Sequence, residues 1–202
     1  MFFLTSLILI RHGQSVWNAE NRFTGWTDVD LSDKGVLEAK EAGEELRKQR
    51  IDVVHTSDLI RAKRTAEIVM GANAASGEVE TKSDWRLNER NYGSLQGLNK
   101  AETAEEHGSE QVQIWRRSFD VAPPEGESLE MTAERTIPYF EDEIMPDLES
   151  GMNVLVSAHG NSLRSIVMHI EKISPEDIVS FEIPTGVPRY YELSEGEIIS
   201  TG

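Results

Sequence analysis

Four aliphatic residues stand in a row at Leu7, Ile8, Leu9 and Ile10. A strand with one wet face alternates apolar and polar residues, so an unbroken run is a strand buried on both faces. Such a strand needs a covering layer on each side of its sheet. Residues 53–55 and 154–157 repeat the pattern more briefly. Helical stretches lie between. Ser32 is a good N-cap for a helix to Gln49, with Val36, Ala39, Gly43 and Leu46 on one stripe. Residues 59–70, 100–107, 110–118 and 161–170 also read as helices. So does 129–148, where Pro138 and Pro146 should kink or break it. Residues 187–193 and 197–200 read as late strands around a turn at Glu195–Gly196, and 122–127 as a loop. This alternation predicts an α/β fold, a three-layer α/β/α arrangement on a mostly parallel central sheet. With 202 residues, a single domain over 1–202 is the expectation.

Charge and cysteine content narrow the chemistry. Asp plus Glu number 36 against 20 Lys plus Arg, a formal charge of −16. That acidity argues against nucleic-acid and anionic-membrane partners, which need a positive footprint. With no cysteine, no disulfide or thiolate nucleophile exists. The apolar run 2–10 is about half a membrane span, broken by Thr5–Ser6, with no basic leader or small-residue cleavage site. A cytoplasmic protein is expected.

Two of the apolar strands run directly into a His–Gly pair, Arg11–His12–Gly13 and Ala158–His159–Gly160. Open α/β sheets bind ligands beyond the carboxyl ends of their strands, so both imidazoles would reach one crevice. Glycine after each histidine should let the chain turn and a ligand approach closely. Asn161 would open a helix whose first N–H groups face an anion. Arg61, just past the second strand, can reach the same edge. Arg116–Arg117 fits either an anion fork or a pair balancing a helix C-terminus. Glu89, between Arg86 and Arg90 in a loop, fits either proton transfer or a salt bridge. P-loop, dinucleotide-binding and nucleophile-elbow motifs are missing. The five histidines lack metal-type spacing; His55 and His169 read as packing residues, and His107 as a surface residue. An imidazole among arginines suits phosphoryl transfer through phosphohistidine, the guanidiniums holding the equatorial oxygens.

The segment Leu9–Ile10–Arg11–His12–Gly13–Gln14–Ser15 resembles the R-H-G signature of the histidine phosphatase superfamily. Further blocks resemble its 2,3-bisphosphoglycerate-dependent phosphoglycerate mutases: Asn21–Arg22–Phe23–Thr24–Gly25–Trp26, Leu87–Asn88–Glu89–Arg90–Asn91–Tyr92–Gly93, Trp115–Arg116–Arg117, Ala158–His159–Gly160–Asn161–Ser162–Leu163–Arg164 and Ile183–Pro184–Thr185–Gly186. The resemblance implies His12 as nucleophile, Glu89 as general acid and base, and His159, Arg11 and Arg61 stabilising the transferring group. It implies substrate contacts from Gln14, Ser15, Asn18, Thr24, Gly25, Arg90, Asn91, Tyr92, Lys100, Arg116, Arg117, Gly160 and Asn161. The implied reaction interconverts 3-phosphoglycerate and 2-phosphoglycerate in glycolysis and gluconeogenesis. The implied cofactor is 2,3-bisphosphoglycerate as primer, without a metal, and a homo-oligomer is possible. Longer members carry an insertion where this chain runs 123–128 and a C-terminal tail over the site. Shorter members with both trims exist, and this chain resembles those; the trims bear on the balance of transfer over hydrolysis and on assembly.

Overall fold

Alternate residues of the first strand enter different cores, which sets the layering. In the computed structural model, which describes residues 4–201, strand β1 (Thr5–Arg11) sends Leu7 and Leu9 to one side and Ile8 and Ile10 to the other. All four are at most 2% exposed. Each such side chain contributes roughly 1.5–3 kcal/mol by leaving water. Residues 2 and 3 of the apolar run lie outside the described residues.

After β1 come α1 (Val16–Ala19), α2 (Asp33–Glu45), β2 (Val53–Thr56), α3 (Ile60–Ala72), β3 (Glu80–Ser83), α4 (Lys100–His107) and α5 (Ser109–Arg117). Then follow α6 (Leu129–Tyr139), α7 (Met145–Glu149), β4 (Val154–Ala158), α8 (Gly160–Glu171), α9 (Pro175–Ile178), β5 (Pro188–Ser194) and β6 (Glu197–Ser200). The sheet order is β3-β2-β4-β1-β5-β6. The first four of these are mutually parallel, and β5 and β6 add an antiparallel edge. Ala42, Leu46, Ala66 and Val69 of the α2–α3 side cover one face. Tyr139, Phe140, Ile144, Leu148, Leu163, Ile166 and Val167 of the α6–α8 side cover the other. The three-layer, mostly parallel α/β arrangement is therefore as expected.

The central neighbours β1 and β4 matter most. Their chains leave toward opposite faces, β1 to α2 and β4 to α8, which makes their carboxyl ends a topological switch point. Arg11 pairs with Ala158, and His12 N–H donates to the Ala158 carbonyl at 3.0 Å. The next residue on each strand end is a histidine.

Several boundaries differ from expectation. The helix read over 32–49 stops at Glu45; beyond it the Leu46 carbonyl accepts a tight-turn bond from the Gln49 N–H at 3.0 Å, and Asn73 Nδ2 donates to the Leu46 and Gln49 carbonyls. The helix after β2 is shifted: Leu59 is its N-cap and it continues to Ala72. Pro138 sits inside α6 without breaking it. A π-turn follows at Phe140–Ile144, and Pro146 lies in the first turn of α7, where a missing N–H costs nothing. Strand β3 is a polar edge strand with no apolar run to announce it.

Candidate active site

A cavity of about 120 Å³ opens at the switch point. Among the described residues, seven cationic side chains line it (Arg11, Arg22, Arg61, Lys100, Arg116, Arg117 and Arg164) against two carboxylates, Glu89 and Glu182. The local field is positive although the chain is acidic.

His12, 2% exposed, forms the floor. Its Nδ1 lies 2.6 Å from the Gly13 carbonyl. A carbonyl only accepts, so Nδ1 carries the proton and Nε2 keeps its lone pair. The His159 ring meets the His12 ring edge-on, with centroids 4.9 Å apart. Burial holds both imidazoles well below the ordinary value; Arg61 and Arg11 add to this at each, and His12 itself adds at His159. Both are therefore neutral at physiological pH. His159 lies behind the lining. Its Nε2 is 2.7 Å from Ser57 Oγ, while its Nδ1 is buried without a partner.

Arg61 is 1% exposed on α3 and donates to the Thr27 carbonyl at 3.0 Å and the Gly25 carbonyl at 2.7 Å. Burial lowers it to about 10, so it stays charged at neutral pH. Arg11 Nη1 donates to the Ile183 carbonyl at 2.9 Å, and its Nε is buried without a partner.

Glu89 hangs between the one-turn helices Trp85–Leu87 and Gly93–Leu95. Its Oε1 accepts from the Arg90 N–H at 2.8 Å, from the Asn161 N–H at 3.1 Å and from Asn161 Nδ2 at 2.9 Å. Burial alone would push this carboxyl up. The Arg90 N–H, Arg11, Asn161 and Arg61 outweigh it and hold Glu89 below the ordinary glutamate value. It is a carboxylate ready to accept a proton.

Helices α4, α5 and α8 also line the cavity, through Lys100, Arg116, Arg117 and Arg164, with Thr24, Tyr92 and Asn18 beside them. Thr24 Oγ1 is buried with no partner. Asn18 is held by Ser15, the N-cap of α1, whose N–H donates to Asn18 Oδ1 at 3.1 Å. Gly160 and Asn161 open α8 on the cavity wall.

Four expected contacts are placed away from the lining. Gln14 Oε1 accepts from Ser32 Oγ at 2.9 Å, and Ser15 caps α1. Asn91 turns its loop by accepting from the Gly93 N–H at 2.8 Å. Arg90 is buried and donates to Tyr92 Oη and to the Trp115 and Arg116 carbonyls, so it ties the Glu89 loop to the end of α5. His55, expected to pack, is buried between Tyr139 Oη and Asp147, each at 2.8 Å.

Sequence reasoning missed Arg22, Phe23, Arg164 and Glu182 as lining residues, although three of them sit inside the motif blocks. It also missed Arg135 of α6. That guanidinium is 8% exposed and forms a fork with Glu127, both N–O distances 2.9 Å. It also donates to the Arg86, Asn88 and Glu89 carbonyls at 2.8, 3.0 and 3.0 Å. One side chain thus fixes the backbone that carries Glu89. An arginine among helical residues gives no sign of this in one dimension.

Two neutral imidazoles among buried guanidiniums, with a held carboxylate, have the chemistry to accept and stabilise a phosphoryl group. A family model described as "Histidine phosphatase superfamily (branch 1)" matches residues 7–198, and the chain belongs to that superfamily. Within it the chain is 52% identical to the 2,3-bisphosphoglycerate-dependent phosphoglycerate mutase of Cytophaga hutchinsonii. That alignment spans 188 positions, 93% of this chain and 87% of the relative. It is 51% identical to the mutase of the same name from Staphylococcus carnosus over 220 positions, 95% of this chain and 96% of the relative. A crystal structure of phosphoglycerate mutase from Bacillus anthracis shares the fold at a TM-score of 0.82 and 20% identity, covering 99% of this chain and 92% of that one.

Proposed function

We infer that this chain is a 2,3-bisphosphoglycerate-dependent phosphoglycerate mutase, interconverting 3-phosphoglycerate and 2-phosphoglycerate through a phosphohistidine at His12. The observation that carries this reading is a second cationic group, Lys100, Arg116, Arg117 and Arg164, lining the same cavity as His12 in addition to Arg11 and Arg61. A monoester phosphatase has no use for it; a substrate with an anion at each end does. Sequence identity near 50% with mutases over most of the chain supports the same conclusion.

The chemistry follows from the protonation states. His12 Nε2 attacks phosphorus in line, and the N–P bond forms as the ester P–O bond breaks. When phospho-His12 gives up its phosphoryl group, the Glu89 carboxylate takes the proton of the attacking hydroxyl, and it returns that proton to the leaving oxygen when His12 Nε2 attacks the other ester. Arg11, Arg61 and the N-terminal N–H groups of α8 hold the equatorial oxygens. Ser57 Oγ accepts from the Leu59 N–H at 3.2 Å and lies 2.7 Å from His159 Nε2, which holds the ring with its unpartnered Nδ1 beside the nucleophile. Asn18 adds a donor to the transferring group, while Lys100, Arg116 and Arg117 take the substrate's other anionic group, with Thr24 and Tyr92 as further donors. Gln14, Ser15, Asn91 and Arg90 act by holding these residues rather than by contact.

The donor set fits 2,3-bisphosphoglycerate, because among the described residues no carboxylate within 4 Å pairs with Arg11, Arg61, Lys100 or Arg116. When bound, that cofactor supplies the phosphoryl group that primes His12. The natural setting of this reaction is cytoplasmic glycolysis and gluconeogenesis, with one catalytic domain per chain.

The test follows two products at once. The protein receives 3-phosphoglycerate, trace 2,3-bisphosphoglycerate and EDTA. Fast 2-phosphoglycerate formation with little free phosphate is expected. Phosphate release without isomerisation would make the chain a phosphatase.

A further inference from the structure

We propose that Glu182 is an internal competitor for the distal anion site, holding Arg117 and Arg164 until a substrate anion takes them. The inference rests on the two-anion reading above.

The two carboxylates in the cavity lining are built differently. Glu89 is 8% exposed and fixed by three donors. The Glu182 side chain is 62% exposed, and its ion-pair partners are Arg117 Nη2 at 2.6 Å and Arg164 Nη2 at 3.7 Å. A carboxylate on these guanidiniums has the same charge and shape as the distal carboxylate of a phosphoglycerate. Both cannot be satisfied fully, so a ligand that uses these forks must displace Glu182 or share them with it.

Glu182 is not needed to aim the arginines. Arg164 Nε donates to the Phe181 carbonyl at 2.7 Å and its Nη1 to Asn161 Oδ1 at 3.1 Å. Arg117 Nη1 donates to the Val179 carbonyl at 3.3 Å. Backbone and Asn161 orient both guanidiniums, while the Glu182 charge only neutralises them. At 62% exposure the pair is well hydrated, so its displacement costs little and its removal tightens binding modestly. The consequence is specificity: a ligand lacking a distal anion gains nothing from the exchange, whereas one with such a group pays for its entry.

The test is calorimetric titration of dephosphorylated protein with 3-phosphoglycerate and, separately, inorganic phosphate, for wild type, Glu182→Gln and Glu182→Ala. Competition predicts that both variants bind 3-phosphoglycerate about 2- to 5-fold more tightly, with phosphate affinity the same in all three proteins. Unchanged or weaker 3-phosphoglycerate binding in the variants, with normal wild-type binding, overturns the competitor role and leaves the mutase reading standing. Equal tightening for inorganic phosphate overturns it too, since the effect would then be general field and not the distal fork. Wild-type protein that binds 3-phosphoglycerate no better than phosphate refutes the two-anion reading itself.

Discussion

At the end of β1, Gly13 faces backbone; at the end of β4, Gly160 faces the cavity. A Cβ on Gly13 would lie 2.2 Å from the Gly35 carbonyl oxygen of α2. A Cβ on Gly160 would lie 3.5 Å from the Arg11 guanidinium carbon and 3.7 Å from Glu89 Oε2, ordinary contact distances. The histidines differ in the same sense. His12 lines the cavity with a free Nε2, while His159 stands behind it, hydrogen-bonded through Nε2 to Ser57. One dipeptide therefore serves two purposes. The first pair is a mount, clamped by α2 so that the His12 backbone cannot drift. The second is a helix start, whose Asn161 donates to the Glu89 carboxylate from its backbone N–H and its side-chain amide.

The largest effect should separate the histidines. His12→Asn is expected to reduce kcat by at least about 10⁴-fold and abolish acid-labile phosphoryl incorporation, as loss of a covalent nucleophile does. His159→Asn should cost roughly 10²- to 10³-fold, the scale of a lost transition-state donor, with incorporation slowed but present. Rapid-quench phosphorylation reads both. Equal and complete losses would make the pair one unit and break the distinction between mount and helix start.

Next comes the clamp. Gly13→Ala forces the β1–α2 junction apart, because the obstacle is backbone and cannot rotate away. A cost of about 3 kcal/mol is expected, a fall in Tm of roughly 6–12 °C for a chain of this size. A melt within a degree or two of wild type would show that the close approach is not needed.

What the two histidines share is tested by pH. Both are kept neutral in the native state well below the pH at which a free imidazole protonates. Above about pH 6.5 neither state binds the proton and these groups contribute nothing. Below it the unfolded chain takes up protons that the native chain refuses, so stability falls as pH falls. The expected slope is about 1.4 kcal/mol per histidine for each pH unit. Denaturant midpoints between pH 7.5 and 5.5 measure it, and His12→Asn should remove one histidine's share.

Much of this was legible in one dimension, and the reasons are physical. The run at Leu7–Ile10 reports its own two-sided burial, and strand-end histidines report the crevice because topology fixes where strands end. The reason for Gly13 was not legible: it was read as making room for a ligand, but the crowding atom belongs to Gly35, on a helix that packs there only in three dimensions. Arg135 and Glu182 were hidden likewise, since neither lies near the histidines in sequence and neither has a local pattern. Strand β3 escaped because an edge strand with both faces wet needs no apolar residues. Polar alternatives left open at Glu89 and Arg116–Arg117 depend on distances that spacing does not encode.

The smallest effect concerns the second glycine and tests the comparison most directly. Gly160→Ala places a methyl against the Arg11 guanidinium and the Glu89 carboxylate without overlap, at 3.5 and 3.7 Å. Nothing in the fold must move, and alanine suits a helix better than glycine, so Tm should hold or rise slightly. The methyl does occupy space beside the groups that receive substrate. One such group in a binding site is worth about 1 kcal/mol, so KM for 3-phosphoglycerate should rise roughly 5-fold, with kcat falling less. If Gly160→Ala instead lost as much Tm as Gly13→Ala, the second glycine would be fixed by packing as the first is. If it changed neither KM nor Tm, the substrate would have to pass the start of α8 at a distance, and the anion would depend on the arginines alone.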